Sequence, residues 1–296
     1  MVHNTENLPA SEHGQQPWLV FLDIDGTLVD DSHHPPVSAV QAIRQARARG
    51  HRVYISTGRS RSGISDEILD IGFDGVVSAS GGFVEIAGAL ARTQTMAPAD
   101  VTYLIELFGH YDLEYTLQAE HRSYASEGLA DRMQPLLREQ RQLAGSGRSA
   151  LAHLEQLEQR FVYTGPPPLT GIAKATFIGR DHEVFYALRD AIDPRFLAVT
   201  GTIPYLGARG GEVGLRQTNK GDALMHVAAV HGIPPARTMA VGDSANDHEM
   251  VREAGVGVAM ADAPASLRSV ADFITGTVAE GGIKMALERY GLISSV

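Results

Sequence analysis

The chain of 296 residues contains no cysteine. That excludes disulfides, thiolate metal sites and cysteine nucleophiles. Any metal must be held by oxygen or imidazole ligands. Tryptophan occurs once, and aromatic residues make up only 6% of the chain. No apolar run is long enough for a membrane-spanning helix. The start, MVHNTENLPASEHGQQP, has neither a basic end nor an apolar centre, so it does not read as a secretory signal. The expectation is a cytoplasmic protein without a membrane partner. Positive charge is also scarce: 25 Lys and Arg against 35 Asp and Glu give a net charge of −10. Such a chain repels a phosphate backbone, so nucleic acid is not an expected partner.

The rest of the composition, 44% hydrophobic and 20% charged, is ordinary for a globular protein. At about 150 residues per domain, the length suggests two domains or one large one. Residues 1–16 read as a flexible polar lead-in. After them, WLVFLDI, HRVYIST and FDGVVSAS read as buried strands. Helical spacing at Val40, Ile43 and Ala46, and a helix from Ser62 to Ile71, separate them. The C-terminal part repeats the alternation with strands in ARTMAVG, VGVAM and DFIT. Helices beginning near Lys220 and in HEMVREAG, SLRSVAD and GIKMALERYG lie around them. Alternation of this kind predicts a Rossmann-like, doubly wound parallel α/β sheet. The middle differs. VTYLIELFGHY and LADRMQPLLREQRQL read as amphipathic helices, and LEYTLQ, KATFIG and FLAVTGT as strands. We therefore expect a core of residues 17–85 and 207–296, interrupted by a second α/β unit at 86–206.

Chemistry-bearing residues gather where strands end. Asp23 and Asp25 close the first strand, at the edge where open α/β sheets bind ligands. Two carboxylates there suit a nucleophile and a proton carrier. Taken alone, the pair also fits a plain Asp/Gly turn. Gly242-Asp243-Ser244-Ala245-Asn246-Asp247 follows another strand. A helix N-cap accounts for one of its acids but not for the set. Four carboxylates at one edge repel one another unless a cation joins them, and all-oxygen ligands favour Mg²⁺. Thr57-Gly58 offers a hydroxyl and backbone N–H groups to a phosphate oxygen. Lys220 opens a helix, where its charge can meet the same anion. A lysine at a helix start is otherwise ordinary surface.

Together, DIDGTL (Asp23 to Leu28), STGR (Ser56 to Arg59), Lys220 in NKGDAL and GDSANDHEM (Gly242 to Met250) resemble the four motifs of the haloacid dehalogenase superfamily. The insertion between the second and third motifs resembles the class IIB cap of the Cof-like phosphatases. The resemblance implies that Asp23 attacks phosphorus and that Asp25 serves as acid and then base. It implies that Thr57, Gly58, Lys220 and Asn246 hold the phosphoryl group. Mg²⁺ would be bound by Asp23, Asp25 through its carbonyl, Asp243 and Asp247. The implied partner is a small phosphorylated metabolite. A phosphomutase using the same nucleophile and a non-enzymatic binding protein are the alternative readings, and the number of copies is left open. Two positions depart from the family pattern. Ser80-Gly81-Gly82 stands where relatives carry Asn-Gly-Ala, and Ala259-Met260-Ala261-Asp262-Ala263 where they favour Ala-Met-Gly-Asn-Ala.

Three further signals carry less. DDSHH (Asp30 to His34) has metal-binding composition but reads as a solvated loop. Gly207 to Gly214 lacks the GK[ST] ending of a phosphate loop and reads as the return hinge from the insertion, paired with Gly81-Gly82. Arg59 with Arg61 and Arg138 with Arg141 are isolated basic pairs.

Overall fold

The apolar run after Trp18 becomes β1 (Leu19–Leu22), with every side chain out of water. Successive side chains leave a strand on opposite faces. Val20 and Leu22 join one hydrophobic cluster, Leu19 and Phe21 the other. Two covered faces explain why the run is apolar throughout rather than alternating. The first face is covered by α1 (Val37–Ala48) and, from the far end of the chain, by Ile283, Ala286 and Leu287. The second is covered by Ala223, Leu224, Val227 and Ala228. The fold is the doubly wound α/β arrangement expected, in a computed structural model that describes residues 16–30, 33–144, 162–181, 183–200 and 207–294.

β2 (Arg52–Ser56) follows α1, then a helical turn α2 (Asp66–Leu69) and β3 (Gly75–Ser78). The helix expected from Ser62 to Ile71 is thus a 3₁₀ turn at Arg61–Gly63 and this single α turn. An antiparallel hairpin, β4 (Phe83–Ile86) and β5 (Ala89–Thr93), extends the same sheet. The chain then leaves. It forms α3 (Pro98–His110), β6 (Glu114–Gln118), β7 (Ser123–Ala125), α4 (Leu129–Ala144), β8 (Lys174–Ile178), α5 (Val184–Ala191), β9 (Phe196–Val199) and β10 (Gly210–Leu215). These strands make a separate antiparallel sheet in the order β7-β6-β8-β10-β9. The chain returns as α6 (Lys220–His231), β11 (Thr238–Gly242), α7 (His248–Glu253), β12 (Val256–Ala259), α8 (Ala265–Arg268), β13 (Phe273–Ile274) and α9 (Gly282–Arg289). The first sheet runs β13-β12-β11-β1-β2-β3-β4-β5, parallel except for the hairpin.

Sheet membership divides the chain elsewhere than at 86 and 207. Gln94 N–H still donates to Gly82 of the first sheet at 2.7 Å, while Met96 N–H donates to Ile172 beside the second. On the return, Arg216 N–H still donates to Arg195 O at 2.8 Å, and Asn219 already caps α6. The glycine-rich stretch expected to be a hinge is mostly β10. Gly211 serves packing there: a Cβ on it would stand 2.5 Å from the Val199 carbonyl oxygen. Residues 1–15, and with them most of the expected lead-in, lie outside the described residues, as do Asp31 and Ser32 of DDSHH. His34 Nδ1 sits 2.9 Å from Glu67. Among the described residues, no helix is long and apolar enough to cross a membrane.

Candidate active site

Asp23 is the residue after β1, at the edge where β1, β2 and β11 all end. Gly26 turns the chain at φ +78°, and a Cβ there would lie 2.3 Å from Asp243 Oδ2. Only glycine lets this turn close onto the loop after β11. Thr27 Oγ1 then donates to Asp243 Oδ1 at 3.1 Å, tying the two loops together.

Lys220 is fully buried at the start of α6. Its ammonium donates to Asp23 Oδ1 at 2.7 Å and to Asp247 Oδ1 at 2.6 Å. A lysine of this kind is stable inside a protein only when paired. Burial pulls its pKa down, but the two carboxylates more than reverse that and hold it above the ordinary ammonium range. Asp247 also fills the role that a helix cap would demand. Its Oδ2 accepts from the Asp243 and Ser244 N–H groups at 3.1 and 3.0 Å. Capping and pairing use different oxygens of one carboxylate, so the two readings of this acid coexist.

Carboxylate oxygens of Asp23, Asp243 and Asp247 lie within 4.8 Å of one another. Burial, followed by the charge of Asp247, pushes Asp23 up to about 7. Burial, followed by the charges of Asp23 and Asp247, pushes Asp243 up to about 9. One lysine therefore does not neutralise the cluster. Hard oxygen donors, close together and short of positive charge, fit a divalent cation. The Asp25 side chain is not part of this group. It is half-exposed and turned to Arg59, which donates from Nε to Oδ2 at 2.8 Å and from a terminal nitrogen to Oδ1. Desolvation favours the neutral acid, but the Arg59 guanidinium outweighs it and holds Asp25 below the usual carboxylate range. The other isolated basic residue here, Arg61, pairs with Glu85.

Thr57 follows β2 and is buried, its Oγ1 accepting from the Arg59 N–H at 3.1 Å. A Cβ on Gly58 would meet Asn246 Nδ2 at 3.0 Å and Lys174 Nζ at 3.1 Å. Thr57, Gly58, Asn246 and Lys220 thus border the Asp23 edge from three elements. Lys174 was not singled out in the sequence, nor was its partner Glu212. Both are buried, and Nζ lies 2.9 Å from Glu212 Oε2. Burial lowers the Lys174 pKa below the ordinary range, against the pull of Glu212. Nζ donates to the Gly58 carbonyl at 2.5 Å and to Ser80 Oγ at 3.3 Å, both in the first sheet's loops. A period-two polar face, Glu114, Thr116 and Gln118 in EYTLQ with Lys174 and Thr176 in KATFI, was the available signal. A cavity of about 210 Å³ lies between the sheets, lined by Ser80 and Asn246 from one side and Lys174, Leu197 and Glu212 from the other.

The arrangement has known counterparts. A family model described as haloacid dehalogenase-like hydrolase matches residues 20–287. Phosphatase YwpJ of Bacillus subtilis is 26% identical over 281 residues, spanning 90% of this chain and 96% of its own. The 5-amino-6-(5-phospho-D-ribitylamino)uracil phosphatase YitU of the same organism is 25% identical, spanning 93% and 98%. The solved structure of the HAD subclass IIB sugar phosphatase BT4131 superposes with a TM-score of 0.74 at 20% identity, covering 93% of this chain and all of that one. With the family model spanning both sheets, the chain belongs to the haloacid dehalogenase-like hydrolases, and it shares the two-sheet fold of that sugar phosphatase.

Proposed function

We propose that the chain is a Mg²⁺-dependent phosphatase of small phosphorylated metabolites, sugar phosphates or similar, working through an aspartyl phosphate. The reaction class is phosphoric monoester hydrolysis. The observation that carries this reading is the convergence of buried Asp23, Lys220 and Asp247 with half-buried Asp243 at one sheet edge. Mg²⁺ held by Asp23, Asp243, Asp247 and the Asp25 carbonyl would neutralise carboxylate and phosphoryl charge. Phosphoryl transfer mainly needs positioning and neutralisation of this kind.

In the first half, an Asp23 carboxylate oxygen bonds to phosphorus while the ester P–O bond breaks. The leaving alkoxide takes a proton from Asp25. In the second half, Asp25 takes a proton from a water whose oxygen attacks the same phosphorus. The Asp23–phosphorus bond breaks, and inorganic phosphate leaves. Arg59 holds Asp25 as the carboxylate, the form needed for the second half. Donation in the first half requires Asp25 to release Arg59 and carry a proton. Thr57, Gly58 and Asn246 would hold the phosphoryl oxygens, with Lys220 fixing the attacking carboxylate.

The cavity between the sheets supports a compact leaving group. The named activities of YwpJ and YitU, both phosphatases, support the same class. The test is phosphate release from a panel of sugar phosphates, nucleotides and vitamin phosphates, with Mg²⁺ and with chelator. Release that stops on chelation and returns with Mg²⁺ is expected. Undiminished release after exhaustive chelation would remove the metal from the proposal. A requirement for a bisphosphate without net release would replace hydrolysis by a mutase reaction.

A further inference from the structure

Lys174 is an odd residue to bury. It lies on β8, whose alternate residues Ala175 and Phe177 pack against the helices of the inserted domain. Register places Gln118 and Gly214 beside Lys174, and Thr116 and Glu212 beside Thr176. The opposite face of the second sheet is therefore polar, and Lys174 and Glu212 line the cavity between the sheets. Burying an ion pair brings no dependable gain in stability. An apolar contact already joins the two sheets at this point: Ala173 packs with Ala79 and Phe83. Holding the domains together does not call for a charge.

The charge reaches the phosphate-side loop. Nζ donates to Gly58 O and Ser80 Oγ, and it stands 3.1 Å from the point a Gly58 Cβ would occupy. Asn246 Nδ2 stands 3.0 Å from the same point. Two donors from different domains thus converge over one glycine, and a side chain there would crowd both. We propose that Lys174, held by Glu212, contributes an ammonium to the phosphoryl-binding pocket from the inserted domain, so that the pocket is complete only when the two sheets are together. This rests on the phosphatase reading for its meaning in turnover, but its binding claim stands apart from turnover. The anion it recognises is a phosphate monoester or free phosphate, whose oxygen would take the place of Ser80 Oγ, the most distant of the Nζ acceptors, beside Asn246 Nδ2.

The experiment measures inorganic phosphate binding by calorimetry in the full chain with Mg²⁺ present, alongside hydrolysis of p-nitrophenyl phosphate. Lys174→Met is expected to weaken phosphate binding and raise KM by about 10–100-fold, the scale of one charge-assisted hydrogen bond, with a smaller change in kcat. Lys174→Arg should recover part of the loss. Removing one member of a buried pair can prevent folding, so the double variant Lys174→Met/Glu212→Met is measured in parallel, and either folded variant serves. Phosphate affinity and KM within twofold of the parent, with only the melting temperature lowered, would overturn the proposal and leave Lys174 a tie between domains. Phosphate binding that depends on Lys174 in a protein that hydrolyses no ester would uphold it while sinking the phosphatase reading.

Discussion

The two sheets bury charge in opposite ways. At the edge of the first, three carboxylates crowd around one lysine, and desolvation keeps Asp23 and Asp243 reluctant to ionise. On the face of the second, one lysine meets one carboxylate at 2.9 Å, and the balance is even. The first arrangement is left short of positive charge, as a cation site would be. The second is complete as a pair yet leans on Gly58 and Ser80 across the gap. The two sheets are thus distinguishable by how far each is left short of charge. Variants of the first sheet's carboxylates should lose turnover for every substrate; Lys174 variants should weaken phosphate binding for every ester while turnover changes less.

The strongest way to break this division is Asp23→Asn. It removes the nucleophile while leaving Lys220 an oxygen acceptor. Hydrolysis of every ester should fall by more than about 10⁴-fold in steady-state assays. Survival of one substrate class would show that the attacking oxygen does not come from Asp23.

Asp25→Asn comes next. Its loss should cost roughly 10²–10⁴ for alkyl phosphates, the range for general acid–base help. The penalty should shrink for an activated aryl phosphate, which leaves without a proton. The variant also leaves Arg59 one acceptor oxygen in place of two and removes the charge it pairs with. Equal losses on both ester types would count against proton transfer by Asp25 and favour a role in holding Arg59.

The core sheet was legible because its strands are short apolar runs that end in chemistry-bearing residues. DIDGT and GDSAND each pair a buried run with carboxylates, and burial on both faces makes β1 apolar throughout and β11 apolar after Thr238. The hairpin β4–β5 was not legible. β5, ALART, lies at the sheet edge with Leu90 45% exposed, and it shows neither alternation nor a continuous apolar run. β10 was hidden by its glycines, which signal turns in a sequence but here permit close strand packing. Lys174 was hidden by distance. Its partner Glu212 lies in another strand, and its acceptors Gly58 and Ser80 lie in the other sheet. A sequence reports local pattern, whereas that pairing exists only after both sheets meet.

Metal linkage sharpens the charge comparison. With Asp23 raised to about 7 and Asp243 to about 9, the metal-free folded protein keeps protons that the unfolded chain has released. Fewer protons on the unfolded state mean that this site's contribution to stability falls as pH rises through those values. A bound divalent cation takes the place of those protons and removes the fall. Melting temperatures with chelator and with Mg²⁺ should therefore nearly coincide at about pH 6 and separate by roughly 5–10 °C at about pH 9, with free Mg²⁺ near 100 times its dissociation constant. A gap that stays constant over this range would mean that the carboxylates are already ionised without metal.

The smallest effect is expected at the seam itself. Ser80 sits at φ 54°, ψ 37°, in the left-handed region. A serine there is held by its surroundings rather than by preference, while asparagine enters that region more readily. The superfamily resemblance places asparagine at this position in relatives. Ser80→Asn would also keep an oxygen acceptor near Lys174 Nζ, now 3.3 Å from Ser80 Oγ. The variant should gain about 0.5 kcal/mol, or roughly 1–2 °C in melting temperature, with phosphate affinity unchanged. Ser80→Val should lose stability, since a β-branched residue resists this backbone and offers Lys174 nothing. If asparagine instead lowered the melting temperature, the space between Gly58 and Lys174 would be the deciding factor, and the serine would stand there because the second sheet comes close. If asparagine changed phosphate affinity while stability held, position 80 would belong with Lys174 in the phosphoryl-binding pocket rather than with the backbone of the seam alone.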